Sequence, residues 1–386
     1  MATNSDEETV RPFEVSVDPD DVSDLRRRLD ETRWPDQLPD AGWAYGTERE
    51  YLRTLCAYWR DEFDWSAFER RLNAFDAYET TIDGQPIQFY HVRSPESDAL
   101  PLCLSHGWPG SVAEFLDVLG PLADPAAHGG DPADAFDVVA PSLPGYGFSG
   151  ATREQGYDVE RIADAFDELM ARLGYDRYVA QGGDWGALIT ALLGANHPDR
   201  VEAIHTNMLF VSPSKLDDPM GMLDEAGEAD YRETKAFREH ETGYQAIQST
   251  KPQTLAYGLS DSPAGLAAWI TEKFRTWSDC DGDVESRFER DRLLDNISVY
   301  WLTNTINSSM RLYYETDARE VIPASVDVPT GHARYPGEIS KTPRVWAEEV
   351  YDVVHWAELP EGGHFAAMEV PELFVDDVRT FFSRFR

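Results

Sequence analysis

The chain has little cysteine, little lysine and no long apolar run. Its three cysteines (Cys56, Cys103 and Cys280) are scattered, odd in number and without metal-ligand spacing. That excludes a disulfide framework and a cysteine-held zinc, and it points to a reducing cytoplasm. No apolar stretch approaches the roughly 20 residues that a membrane-crossing helix needs. The opening MATNSDEETV is acidic and has no apolar h-region, so it does not read as a secretion signal. Only five of the 34 basic residues are lysine, and 71 acidic residues bring the net charge to −37. Such a charge excludes nucleic acid and anionic membrane as partners.

What is present is enough for a large core with a lid or a second domain. Apolar residues make up 42% of the 386 and aromatic residues 12%. The acidity and the preference for arginine resemble the composition of proteins from salt-loving archaea. In molar salt the Debye length shrinks to about 3 Å, which screens the self-repulsion of so acidic a chain. The plainer alternative is an acidic protein of ordinary surroundings.

The pattern along the chain divides it into four stretches. Residues 1–75 read as a polar tail and a helical segment packing on the core, with the capping box TERE (Thr47 to Glu50) opening one helix. From 76 to 210, strand, turn and helix alternate: a hairpin around Asp83-Gly84, the short strand LPLCL, and a helix opened by an S-x-x-E box at Ser111 and Glu114. Then come the strand FDVVAP, a helix ending at Gly174 and the strand YVAQ. Residues 211–318 break the alternation with aromatic helical sequence and read as an inserted lid. Residues 319–386 resume it, closing on a helix with Pro371 at its first position. Alternation of this kind predicts a mostly parallel sheet flanked by helices.

GGDWG places Asp184 between an apolar strand and an apolar helix, in the G-x-Nu-x-G form of the α/β-hydrolase nucleophile elbow. Alone, the pentapeptide is weak, since aspartate among glycines is usually a turn. Two further loops add weight. SHGWPGS follows the strand PLCL and suits an oxyanion hole made by the amides of Trp108 and Trp185, with His106 bonding only locally. PEGGHFAAME holds His364 in the third place of the order nucleophile, acid, histidine, with Glu338 upstream as the acid. A serine attacking an alkyl carbon would leave an ether, whereas an aspartate leaves an ester that water can cleave. The target is therefore a saturated electrophilic carbon, with His364 as the base for water.

Together these motifs resemble the microsomal-type epoxide hydrolases, a branch of the α/β-hydrolases that includes the juvenile-hormone epoxide hydrolases. The resemblance runs from RPFEVSVDPDDVSDLRRRLDETRWPD through HGWPGS, GGDWG and the lid stretch GYQAIQSTKPQTLAYGLSDSPAGLAAWITEKF to GGHFAAME. It implies an α/β-hydrolase fold with a helical cap and Asp184, His364 and Glu338 as the catalytic set. It also implies two lid tyrosines that activate the epoxide oxygen: Tyr244, and Tyr313 with Tyr314 as its one-residue alternative. No cofactor or metal is implied. Trp108, Trp185 and Tyr257 are expected to touch a bulky apolar epoxide. Without an apolar anchor the protein is expected to be cytoplasmic, serving detoxification; the sequence leaves a homodimer open. The alternative activity is that of a haloalkane dehalogenase, with Trp185 holding halide, and a silent ligand-binding fold stands third.

Overall fold

The computed structural model describes residues 9–316 and 321–386. Among them nine strands form one sheet: β1 (Arg11–Phe13), β2 (Ala77–Ile82), β3 (Gln85–Val92), β4 (Leu100–Ser105), β5 (Phe136–Pro141), β6 (Tyr178–Gly182), β7 (Val201–Thr206), β8 (Val326–Arg334) and β9 (Tyr351–Glu358). Their spatial order is β1-β2-β3-β5-β4-β6-β7-β8-β9. From β5 to β9 every pairing is parallel, and β1 to β3 join antiparallel at one edge. The central strand β6 is buried along its whole length, as expected for a strand covered on both faces. Asp83 and Gly84, at φ 51° and 70°, make the tight turn between β2 and β3.

The N-terminal segment is less purely helical than its sequence suggests. β1 adds to the sheet before α1 (Pro19–Asp30), α2 (Arg49–Asp61) and α3 (Trp65–Leu72) begin. These helices also reach well beyond the sheet. Trp59 Nε1 donates to Ser298 Oγ at 3.0 Å, and Arg71 forks onto buried Asp295 at 2.7 and 2.5 Å. Thr47 does not cap α2: Glu48 occupies the cap, and the Thr47 hydroxyl donates to Ala268 O at 2.7 Å. A tertiary acceptor has taken the side chain that the capping box would use.

Three helices then flank the sheet: α4 (Leu116–Ala123), α5 (Val159–Arg172) and α6 (Trp185–Asn196). Asp158 accepts from Arg161 N at 3.0 Å to start α5, and Gly174 at φ 90° follows its end. The lid is α7 (Glu225–His240), α8 (Gly243–Gln248), α9 (Pro252–Asp261), α10 (Pro263–Trp277), α11 (Arg290–Thr303) and α12 (Ile306–Glu315). Between residues 211 and 316 no strand interrupts it. The lid sits in sequence between β7 and β8 and returns the chain to the sheet in time for the last two strands.

Candidate active site

The loops after β4, β6, β8 and β9 lie at the carboxyl ends of parallel strands, where such sheets bind ligands. Between β6 and α6, Asp184 holds φ 51° and ψ −128°, a conformation a non-glycine residue adopts only where the turn demands it. The glycines around it explain the crowding. A Cβ on Gly182 would lie 2.2 Å from Gly186 O, and one on Gly186 would lie 2.0 Å from Ser105 O. A Cβ on Gly107 would meet Asp184 Oδ1 at 2.2 Å. Only bare backbone can come so close to the carboxylate.

Trp108 N–H donates to Asp184 Oδ1 at 2.8 Å. Trp185 is the first residue of α6, where a backbone N–H has no acceptor within the helix. On the other side, His364 Nε2 stands 3.4 Å from Asp184 Oδ2. The imidazole is anchored behind: Nδ1–H donates to Glu338 Oε1 at 2.8 Å, and that oxygen also accepts from Ile339 N at 2.7 Å. A parallel bridge between Gly337 and Gly363 ties the two loops together, and His364 N donates to Trp277 O at 3.0 Å. Burial alone would push the imidazole down. The Glu338 carboxylate and then Asp184 outweigh it and hold His364 well above its usual value.

The lid supplies both tyrosines. Tyr244 on α8 stacks on Trp108 with ring centroids 5.2 Å apart and planes 7° from parallel. Tyr313 on α12 meets Trp185 edge to face at 4.8 Å and Tyr244 at 5.9 Å. Tyr313 is 5% exposed and Tyr314 58%, so the first of the two is the one held against the aspartate's neighbours. Burial keeps both phenols well above their ordinary range, and the Asp184 charge adds to it.

A family model described as the epoxide hydrolase N terminus matches residues 10–115, and one described as the alpha/beta hydrolase fold matches 101–296. Epoxide hydrolase 1 of Sus scrofa is 37% identical, over 98% of this chain and 89% of its own. The chain belongs to the epoxide hydrolase family. The crystal structure of juvenile hormone epoxide hydrolase from the silkworm Bombyx mori is similar at a TM-score of 0.90 and 33% identity, covering 97% of this chain and 95% of that one. Aspergillus niger epoxide hydrolase is similar at 0.86 and 31%, covering 97% and 96%.

This epoxide hydrolase converts an epoxide to a vicinal diol, and its cavity suits that task. A space of about 930 Å³ is lined by Asp184, Trp185, Tyr244 and Tyr313, with Phe210 and Phe237 among its apolar walls. Trp108 contributes its amide; its indole is fully buried and lines no part of this cavity. Tyr257, expected at the substrate, is 73% exposed and points away. α9 buries Pro252, Ala256 and Leu259, and Tyr257 lies on its other side. His106 is only partly local: Nδ1 meets Gly107 O at 3.0 Å, but its Nε2 accepts from Leu143 N–H at 3.1 Å, on the loop after β5.

One neighbour of the site was hidden in sequence. Glu114 reads as the second half of a capping box, and Ser111 Oγ does accept from Ala113 N at 3.2 Å. The Glu114 side chain instead lines a 20 Å³ chamber behind Asp184, together with His364, Gln181, Asn207 and Ser105. Burial pushes its carboxyl up to about 8, the His364 charge opposes and Asp184 adds. Periodicity could not reveal this, because Glu114 lies in a single 3₁₀ turn (Val112–Phe115) whose four residues are all buried.

No helix among the described residues is long and apolar enough to cross a membrane, and no acidic, histidine or cysteine cluster among them could hold a metal.

Proposed function

We propose that the reaction runs in two steps through an ester on Asp184. In the first, an Asp184 oxygen attacks an epoxide carbon while Tyr244 and Tyr313 donate hydrogen bonds to the epoxide oxygen. The C–O bond breaks, its electron pair stays on oxygen, and a phenol supplies the proton. The phenols suit this role because, held above their ordinary pKa of about 10, they remain protonated donors at working pH. A carboxylate nucleophile, unlike a serine hydroxyl, needs no base to activate it.

In the second step, His364 takes a proton from water as the water attacks the ester carbonyl. The oxyanion then collapses, the bond from the carbonyl carbon to the diol oxygen breaks, and that oxygen takes the proton of the new Asp184 carboxyl, restoring the carboxylate beside the imidazolium. The Trp108 and Trp185 amides steady the oxyanion, and Glu338 steadies the imidazolium. The ester itself prepares the base. Free Asp184 is one of the two anions that hold His364 protonated; alkylation makes that carboxylate neutral, so the imidazole gives up its proton more readily. That proton restores the phenol spent on the epoxide oxygen, and the neutral imidazole is then ready for water. The chamber behind Asp184 has room for about one water. Gln181 Oε1 and Ser105 Oγ make no hydrogen bond there, and His364 Nε2 has only the Asp184 carboxylate, 3.4 Å away. Such a site suits the attacking water.

The observation that carries this reading is one carboxylate facing three parties: an amide donor at 2.8 Å, an imidazole at 3.4 Å, and two phenols across the cavity. The tyrosine pair favours an epoxide over a haloalkane, because only the epoxide oxygen needs a proton. The three cysteines are all buried and unpaired, which fits a reducing cytoplasm. The test is His364→Gln incubated with styrene oxide, then digested for mass spectrometry. A peptide carrying Asp184 heavier by one epoxide is expected; an unmodified peptide at full occupancy of substrate would defeat the scheme.

A further inference from the structure

Lysine is scarce in this chain, and one of the five is buried beside the site. Lys215, Lys235, Lys251 and Lys341 are exposed or half-buried, whereas Lys273 on α10 is 5% exposed. Its Nζ lies 4.8 Å from the centroid of the Tyr244 ring and 5.7 Å from that of Trp277. Its counter-ion is Glu272, which Thr276 Oγ1 holds at 3.0 Å. Lys273 does not line the substrate cavity. Taking an ammonium out of water is costly, and one carboxylate on the same helix seldom offsets that cost alone. In a chain that otherwise prefers arginine, a compact charge has been kept where it can sit on a ring face.

The chemistry of that ring gives the charge a use. Once a buried phenol has passed its proton to the epoxide oxygen, it is a tyrosinate in a site already holding carboxylates. A cation over its π face favours that anion and strengthens the O–H as a donor beforehand. Tyr313 differs: among the described residues no lysine or arginine lies over its ring.

We propose that Lys273 is a positioning residue acting through Tyr244, and that it makes Tyr244 the tyrosine that hands its proton to the opening epoxide. Tyr313 then holds the same oxygen by a hydrogen bond and keeps its own proton. As the Asp184 C–O bond forms, the epoxide C–O bond breaks and its electron pair takes the Tyr244 proton. The resulting phenolate faces the Lys273 ammonium until the His364 proton restores it. The proposal rests on the tyrosine roles given above.

The test is Lys273→Met, with ester formation followed in single turnovers in the His364→Gln background, where the ester accumulates. Loss of the cation is expected to slow ester formation about tenfold and, with His364 intact, to leave ester hydrolysis within about twofold. Added to Tyr244→Phe it should cost nothing more; added to Tyr313→Phe it should cost the full factor. Equal slowing in both phenylalanine backgrounds would reduce the lysine to lid packing, and no slowing at all would also overturn the proposal. Tyr244→Phe at wild-type speed would overturn it together with the tyrosine assignment beneath it. Should Lys273→Met not fold, Glu272→Gln with Lys273→Met removes the buried pair whole, a change that proteins often tolerate, and carries the same expectations.

Discussion

His364 Nε2 stands 3.4 Å from Asp184 Oδ2, close enough to feel its charge. In the proposed scheme the two residues control one another: the carboxylate strengthens the imidazole's hold on its proton, and esterification releases it. Ester formation is expected to be nearly flat across neutral pH, while ester hydrolysis rises with pH as His364 loses its proton. Glu338→Gln is expected to slow hydrolysis by roughly 10² to 10⁴-fold with ester formation little changed. Rapid-mixing measurements of the two steps check this; equal losses in both would place Glu338 outside the second step.

The role proposed for the phenols lies in the other half of the cycle. Tyr244→Phe with Tyr313→Phe is expected to slow ester formation by at least about 10²-fold, the scale of removing donors to a developing oxyanion. Hydrolysis of ester already formed should change little. A double variant that forms ester normally and stalls afterwards would reverse the assignment.

Burial of acids makes a prediction about stability. Glu114 is pushed up to about 8 and Glu369 up to about 7 by burial, against about 4.3 for an unfolded chain. Between those values the folded protein holds protons that the unfolded chain has lost, so stability falls as pH rises through that window. The raised His364 acts in the same direction, its contribution present at low pH and lost as pH climbs through its folded value. Glu114→Gln removes one titration. Its Tm relative to the wild type is expected to climb between pH 5 and 8.5 or so. A constant difference across that range would show Glu114 to be ionised throughout.

Salt should matter as well. The net charge is −37, and many pairings are exposed, such as Arg27 with Asp24 and Glu31. Screening weakens such pairs but relieves the larger self-repulsion. Tm is expected to rise with KCl from dilute buffer to molar concentrations; equal or greater stability without salt would refute the halophilic reading.

Where a residue's role depends on local chain geometry, the sequence revealed it. Gly174 marks the end of α5, and Asp83-Gly84 marks a turn, because a C-cap and positive φ depend on nearby residues. The elbow was legible for the same reason: Gly182 and Gly186 are required by backbone crowding within a few residues of Asp184. What escaped depends on partners far along the chain. β1 is three residues that pair with β2, 64 or more positions later. Thr47 is drawn to Ala268, Glu114 turns into the chamber, and Lys273 lies on an aromatic ring from another helix. Tyr257 shows the converse, an aromatic residue in the lid that faces outward although composition suggested otherwise. The pairing of Tyr244 with Tyr313 came from family resemblance and not from spacing, since nothing in 17 tyrosines distinguishes two.

The most direct measurement is a single turnover in ¹⁸O-labelled water with enzyme in excess over epoxide. If Asp184 forms the ester, the first diol carries unlabelled oxygen drawn from its carboxylate, and label appears in the Asp184 side chain and in later diol. Label in the first diol, with none in the Asp184 peptide, would mean that water attacks the epoxide directly and that the covalent account is wrong.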